Sequence, residues 1–174
     1  MVSVTTLLVA EGFIDSQWFT DWAREKGTFV HKATELFDRG ELDEDQLDPV
    51  LKPYLDGWKN FLFDSKFKIL EIEQRITMED IQLTGKPDRV GILNGYYTIV
   101  DEKSGLIYPT TGLQLAGYRI LKGDKYYKRV AVRLGPTMSR GYSITEFKQP
   151  TDSIVFSGAL RCYNWKQEHI KGAK

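Results

Sequence analysis

The chain has 174 residues, 41% of them hydrophobic and 28% charged, with 24 basic against 24 acidic side chains and one cysteine. These proportions are ordinary for a soluble globular protein and lead us to expect one domain, residues 1–174, with room for a real core. No apolar run approaches the ~20 residues of a transmembrane helix, so no membrane span is expected. Cys162 alone excludes an intramolecular disulfide and any cysteine-based zinc or iron–sulfur site, which fits a reducing, cytoplasmic setting.

Charge balances overall but not along the chain. Residues 1–83 carry 9 Lys/Arg against 17 Asp/Glu, and residues 84–174 carry 15 against 7. Such asymmetry points either to a polyanionic partner on one side of the fold or to charges that intermix in space. The opening, MVSVTTLLVAEGF, lacks a basic stretch and brings Glu11 early, so it is not expected to act as a signal peptide.

Residues 3–10 are short and apolar and read as a strand or an extended lead-in. Phe19, Trp22 and Ala23, then Phe29, Val30, Ala33, Leu36 and Phe37, have helical spacing with a break at Gly27. Thr28 reads as an N-cap, giving a second helix over 29–38 that stops at Gly40. His31 and Glu35, four apart, then share a face. Close to a helix N-terminus His31 would be biased towards the neutral, metal-binding form; the plainer alternative is a histidine satisfied by a neighbour. Residues 41–48 are acidic and read as a solvated loop or helix start. An amphipathic pattern follows through Leu47, Val50, Leu51, Tyr54, Leu55, Trp58, Phe61 and Leu62. Pro49 suits its first turn, and Pro53 should bend it or start it later.

Residues 67–77 alternate as a strand, with Glu71 and Glu73 on one face; residues 81–92 and 96–103 complete a three-stranded antiparallel meander. Asn94-Gly95, between runs rich in Val, Ile and Tyr, is a strong hairpin signal. Counting outward from a two-residue turn pairs Leu93 with Tyr96, Gly91 with Thr98, and finally Asp88 with Asp101. Opposed like charges are destabilising, and a divalent cation between them is the economical explanation. Lys103 shares the face of Asp101, and Glu102 points away. Two acids for a metal, with an ammonium beside them, suit phosphodiester hydrolysis. A solvated hairpin face is the plain alternative, and a bulge at Gly91 would undo the register.

Pro109, Thr110 and Thr111 open a helix, capped by one of the threonines, that runs to about residue 122 and stops at Gly123. Gln114 and Tyr118 share a polar face on it. Residues 126–134 and 142–147 read as strands. Asp152 or Ser153 caps a last helix to about residue 169, with Ile154, Val155, Leu160, Tyr163 and Ile170 as expected core. The sum is an α/β sandwich around a small mixed sheet.

Four segments together resemble the PD-(D/E)XK nuclease superfamily, in its branch of RecB-type nucleases and phage exonucleases. They are G-T-F-V-H (Gly27 to His31), G-K-P-D (Gly85 to Asp88), V-D-E-K-S-G (Val100 to Gly105) and Q-L-A-G-Y (Gln114 to Tyr118). The resemblance implies a restriction-endonuclease-like core of order αβββαβ. It implies a Mg²⁺ or Mn²⁺ site built from His31, Asp88, Asp101 and the backbone carbonyl of Glu102. In it Asp88, Asp101 and Lys103 are catalytic, and Lys103 assists the attacking water. Gln114 and Tyr118 would hold DNA backbone or order the site, and Glu35 and Glu73 are candidate supporting acids. The third motif carries Asp where many members carry Glu.

The expected function is therefore a metal-dependent deoxyribonuclease, with a phage-type exonuclease acting in recombination, repair or replication preferred on the resemblance alone. The alternatives are a structure-selective endonuclease and a catalytically idle DNA-binding member. A homo-oligomer and a recombination or replication partner protein are compatible with the resemblance, and a phage protein would work in the host cytoplasm. Lys122, Lys125, Lys128, Arg129, Arg133 and Arg140 are candidate phosphate contacts, each equally readable as surface solvation.

Overall fold

The structure is a computed structural model describing residues 1–15, 20–123 and 126–171. Phe19 and Lys125, both named above, lie outside the described residues. The chain order is β1 (Val2–Ser3), α1 (Val4–Ala10), α2 (Asp21–Arg39), α3 (Lys52–Ser65), β2 (Lys68–Ile72), β3 (Ile76–Met78), β4 (Leu83–Gly85), β5 (Arg89–Leu93), β6 (Tyr96–Lys103), α4 (Thr110–Leu121), β7 (Lys128–Leu134), β8 (Tyr142–Glu146) and α5 (Thr151–Lys166). A five-stranded mixed sheet in the order β2-β5-β6-β7-β8 forms the centre, and a small sheet, β1-β4-β3, stands beside it. β6 and β7 are parallel, with α4 as the crossover, and every other pair of the large sheet is antiparallel. This is the expected α/β architecture, a mixed sheet flanked by helices.

Successive residues of β6 face opposite ways, and two cores result. Ile99 packs with Leu7, Leu8, Leu115 and Phe156 under α1, α4 and α5, whereas Val100 packs with Val30, Trp58 and Phe61 under α2 and α3. The hairpin register runs unbroken from Leu93↔Tyr96 to Arg89↔Val100. Asn94 and Gly95 both have positive φ, 52° and 82°, as a two-residue hairpin turn of the mirror-image kind requires. The hairpin has no bulge at Gly91; the irregularity lies on its other side, where β2 shifts register between Ile69↔Gly91 and Glu71↔Val90. Gly91 serves packing instead, since a Cβ would collide with the Lys68 carbonyl and the Phe67 ring.

Several expectations need correction. Residues 4–10 are helical: Ser3 caps them by accepting from the Thr6 N–H (3.1 Å), and Val4, Leu7 and Leu8 are buried at helical spacing. Gly27 does not break a helix. α2 begins at Asp21 because Thr20 accepts from the Ala23 N–H (3.2 Å), and it continues to the left-handed Gly40. The expected three-stranded meander is split. Glu73, at φ 51°, ends β2, and Pro87, which has no N–H, separates β4 from β5. The outer halves leave to form the small sheet with β1, and Glu71 and Glu73 reach different partners. Of the two expectations for Pro53, the later start holds: α3 begins at Lys52 with Pro53 in its first turn. Pro109 and Pro150 occupy the N-cap positions of α4 and α5, where threonine, Asp152 or Ser153 was expected. On α5 the inward residues are Phe156, Ala159 and Leu160, at i, i+3 and i+4; Ile154, Val155 and Ile170 are exposed.

Candidate active site

Asp88 lies one residue beyond the paired end of β5, so the hairpin register carries it to the level of Asp101 on β6. Both are buried. Asp88 Oδ2 accepts the Glu102 backbone N–H at 2.7 Å and stands 3.4 Å from His31 Nδ1. Asp101 Oδ1 accepts from Gln114 Nε2 at 2.9 Å. Its Oδ2 lies 2.5 Å from Lys103 Nζ as an ion pair but lacks a well-directed hydrogen-bond donor. Gln114 Nε2 also donates to the Tyr118 hydroxyl at 3.2 Å, and Lys103 Nζ donates to Gln114 Oε1 at 3.3 Å. Gln114 and Tyr118 are buried beside Asp101.

Burial and charge set the protonation states. For His31, burial works against the cation, but the charge and hydrogen bond of Asp88, with Glu102 and Asp101 behind, raise its pKa to about 10. Burial alone would raise Asp88; His31, Lys103 and the Glu102 N–H outweigh it and hold the carboxyl at about 2. Asp101 is pushed up to about 6, first by burial and then by Asp88, against the pull of Lys103. Burial disfavours the Lys103 ammonium, yet Asp101 and Asp88 leave its pKa raised. The expected neutral His31 is therefore corrected. It sits in the middle of α2, beyond reach of the helix N-terminus, which acts only over the first turn.

Glu73 is brought in by the turn that ends β2. Its N–H donates to the Asp88 carbonyl at 3.0 Å, and its side chain forms an ion pair with Lys86. Ligand atoms of His31, Glu73 and Asp88 all lie within 4.8 Å of one another. Side-chain adjustment would let these three donors converge on one small cation. An imidazole with carboxylates is a donor set compatible with a divalent cation, and the buried Asp101 Oδ2, paired with Lys103, is a further carboxylate oxygen beside them. Asp101 itself falls outside the three-residue group, turned towards Lys103 and Gln114. Glu35 does not join it either: it is held by Lys32 and Arg39, each at 3.0 Å.

Behind the sheet lies a network that the sequence reading missed. Arg89, fully buried, donates to Asp38 Oδ2 (2.6 Å) and to the Asp88 carbonyl (2.7 Å), and stands 3.4 Å from Glu102 Oε1. Glu102 points away from Asp101, as expected, and accepts from Thr34 Oγ1 at 2.7 Å. Burial pushes the Glu102 carboxyl up to about 7, with Arg89 opposing. Trp58 Nε1 donates to Asp38 at 2.9 Å. The available signal was an arginine beginning an apolar strand, next to Asp88 and therefore on the opposite face.

The candidate phosphate contacts fare differently. Arg129 is buried, bound to the Gly112 and Gln149 carbonyls and to Asp152, so it is a core residue and not a phosphate contact. Lys122 pairs with Glu71, Arg140 with Asp64 and Lys128 more loosely with Glu146, at 2.7, 2.7 and 3.9 Å; Arg133 is partly exposed. The Lys122–Glu71 and Arg140–Asp64 pairs join the basic half to the acidic one. No described helix is long and apolar enough to cross a membrane.

No protein-family model matches the chain, and no curated protein matches it in sequence. Among solved structures it is similar to an alkaline exonuclease, LHK-Exo, from Laribacter hongkongensis. The identity is 13% and the TM-score 0.47, over 99% of this chain and 94% of that one. The same exonuclease in complex with dAMP gives 10% and 0.46 over 99% and 94%. The protein SSO0001 gives 13% and 0.42 over 94% of this chain and 73% of that one. At such scores the likeness assigns no chemistry, and the functional reading stands on the site's own geometry.

Proposed function

We propose that the chain is a divalent-metal-dependent deoxyribonuclease, an exonuclease of phage type acting at DNA ends. The observation that carries the reading is the meeting of two buried carboxylates, Asp88 and Asp101, with Lys103 paired to the second. Buried charges cost stability unless well compensated; here Lys103 pairs with Asp101 and His31 with Asp88, and a cation bound among the acids would take over the part of the His31 proton. His31, Asp88 and Glu73, with Asp101 beside them, would hold Mg²⁺ or Mn²⁺. When bound, the cation supplies charge neutralisation on the phosphate and acidifies water. Lys103 Nζ orients the attacking water and offsets charge on the phosphate oxygens. Gln114 keeps the Asp101 carboxylate aimed, and Tyr118 keeps Gln114 aimed.

The test is digestion of end-labelled linear DNA beside closed circular DNA, in Mg²⁺ and Mn²⁺ series, with Asp101→Ala and Lys103→Ala as controls. Progressive loss of linear DNA alone, abolished by both substitutions and by chelator, is the expected result. Cut or nicked circles, abolished likewise, would replace the exonuclease by an endonuclease at the same site. No cleavage with either metal, together with DNA binding that survives Asp101→Ala, would overturn the catalytic reading.

A further inference from the structure

The two edges of the five-stranded sheet are finished differently. β2, at one edge, is interrupted by the register shift between Ile69 and Glu71, carries Lys68 and gives way to the left-handed Glu73. A bulge and an edge lysine are devices that keep a sheet from pairing with another chain. β8, at the other edge, has neither. Its five residues, Tyr142–Glu146, pair with β7 in unbroken register, and Lys148 comes only after the strand has ended.

The ladder decides which backbone groups of β8 are left over. The Phe147 N–H donates to the Arg129 carbonyl at 2.8 Å, and the Gly135 N–H to the Gly141 carbonyl at 2.9 Å. Bonded residues alternate along an antiparallel pair, so 141, 143, 145 and 147 turn their N–H and C=O groups towards β7. Those of Tyr142, Ile144 and Glu146 point outward, and among the described residues no backbone group takes them up. Ile144, in the middle, is 46% exposed. Clefts of about 360 and 390 Å³ lie against β8, the first lined by Leu93, Val130 and Ile144, the second by Pro109, Thr145 and Phe147.

We infer that β8 receives a second copy of this chain, whose own β8 adds antiparallel across a two-fold axis at Ile144. The strand is its own complement, which is what selects this occupant. With Ile144 on the axis, it meets Ile144 of the other copy, Ser143 meets Thr145, and Tyr142 meets Glu146. An aliphatic pair, two hydroxyl pairs and no opposed like charges make a favourable set. The outward backbone groups match as well, since those of 142, 144 and 146 face those of 146, 144 and 142. Just past the strand ends Arg140 and Lys148 come opposite each other, each with its own acid, Asp64 and Glu146. Such an isologous contact closes after two copies, and the two sheets become one of ten strands. Asp101, Ala131 and Thr145 lie in one row across β6, β7 and β8, and opposed residues of a pair share a face. Both Asp101 carboxylates therefore lie on the same side of the joined sheet, five strand spacings or about 24 Å apart. The pairing holds whatever chemistry those acids perform.

Sedimentation velocity of the wild type over a concentration series is compared with Ile144→Lys, which sets two ammonium groups against each other on the axis. Melting temperatures report whether the variant is folded. The wild type is expected to reach twice the mass of one chain, and Ile144→Lys to self-associate at least about tenfold more weakly. A cysteine variant carries the test if the lysine unfolds the strand. In a Cys162→Ser background, Ile144→Cys is expected to form an intermolecular disulfide under mild oxidation, because the Cα atoms of a bonded antiparallel pair stand ~5.5 Å apart. Leu70→Cys, on β2 and 48% exposed, is expected to form none. A wild type that stays monomeric throughout overturns the pairing and leaves the edge to an extended segment of another protein. A dimer that folded Ile144→Lys leaves intact, or that Leu70→Cys crosslinks as readily as Ile144→Cys, overturns it too.

Discussion

Replacing Arg89 by methionine would strand charge in the middle of the protein. The side chains of Arg89 and Glu102 are 0% exposed and that of Asp38 is 1% exposed, and the guanidinium is their shared counter-ion. Removing one partner of a buried pair typically costs ~3–5 kcal/mol, and the loss of the bond to the Asp88 carbonyl belongs to the same event. At this chain length that corresponds to a fall of roughly 6–20 °C in Tm. The cost should depend on pH. Glu102 already stands at about 7, above its ordinary 4.5, and without Arg89 it moves higher. A carboxyl whose folded pKa is raised binds a proton that the unfolded chain does not, so stability falls as pH rises. The penalty should therefore be largest near pH 8 and smaller near pH 5.5, where Glu102 is neutral. Urea unfolding at the two pH values measures it, read from the midpoint at constant slope. Arg89→Met combined with Glu102→Gln should recover part of the loss at pH 8. A cost below about 1 kcal/mol at pH 8, or one no smaller at pH 5.5, would refute the reasoning.

Four further outcomes are expected. Asp101→Asn and Lys103→Met should each lower single-turnover hydrolysis about 10²–10³-fold or more while far-UV circular dichroism stays unchanged. Glu73→Gln should weaken Mg²⁺ or Mn²⁺ binding in calorimetry by about tenfold or more, whereas Glu35→Gln, whose carboxylate is engaged by Lys32 and Arg39, should leave it unaltered. His31, raised from 6.5 to about 10 in the metal-free protein, stabilises the fold fully below pH 6.5 and loses that contribution as pH climbs towards 10. Asp88, lowered from 3.8 to about 2, contributes above pH 3.8 and fails as pH falls through 2. Chemical denaturation across pH reads both, and His31→Ala should flatten the alkaline limb. Because a cation must displace the His31 proton, its apparent affinity should rise with pH, with proton release visible in calorimetry.

The sequence made the hairpin legible because Asn94-Gly95 fixes both turn type and register, and everything counted from it came out in register: Arg89 against Val100, with Asp88 and Asp101 next. Gln114 and Tyr118 were readable as neighbours because helical spacing is rigid. What stayed hidden depended on distant partners. Seven residues of α1 cannot be told from a strand without the wall that buries Val4, Leu7 and Leu8. Gly27 looked like a helix end, and that misplaced start gave His31 the wrong charge. The place of Glu73 hangs on one left-handed residue between two apolar stretches, which periodicity does not register. Arg89 drew no reading from the sequence, because its partner Asp38 lies 51 positions away.

The hairpin also behaves as a measuring rod. Asp88 and Asp101 meet because the arms 88–93 and 96–101 contain the same number of residues on either side of a turn ~20 Å away. A residue gained or lost on one arm alone would send that arm's distal side chains to the opposite face, exchanging the roles of Asp101 and Glu102 without altering either. The exposed tip of β5 and β6 is therefore a place where this chain can change its letters far more freely than its length. A one-residue insertion within either arm, remote from any ligand atom, would silence the site as surely as removing an acid.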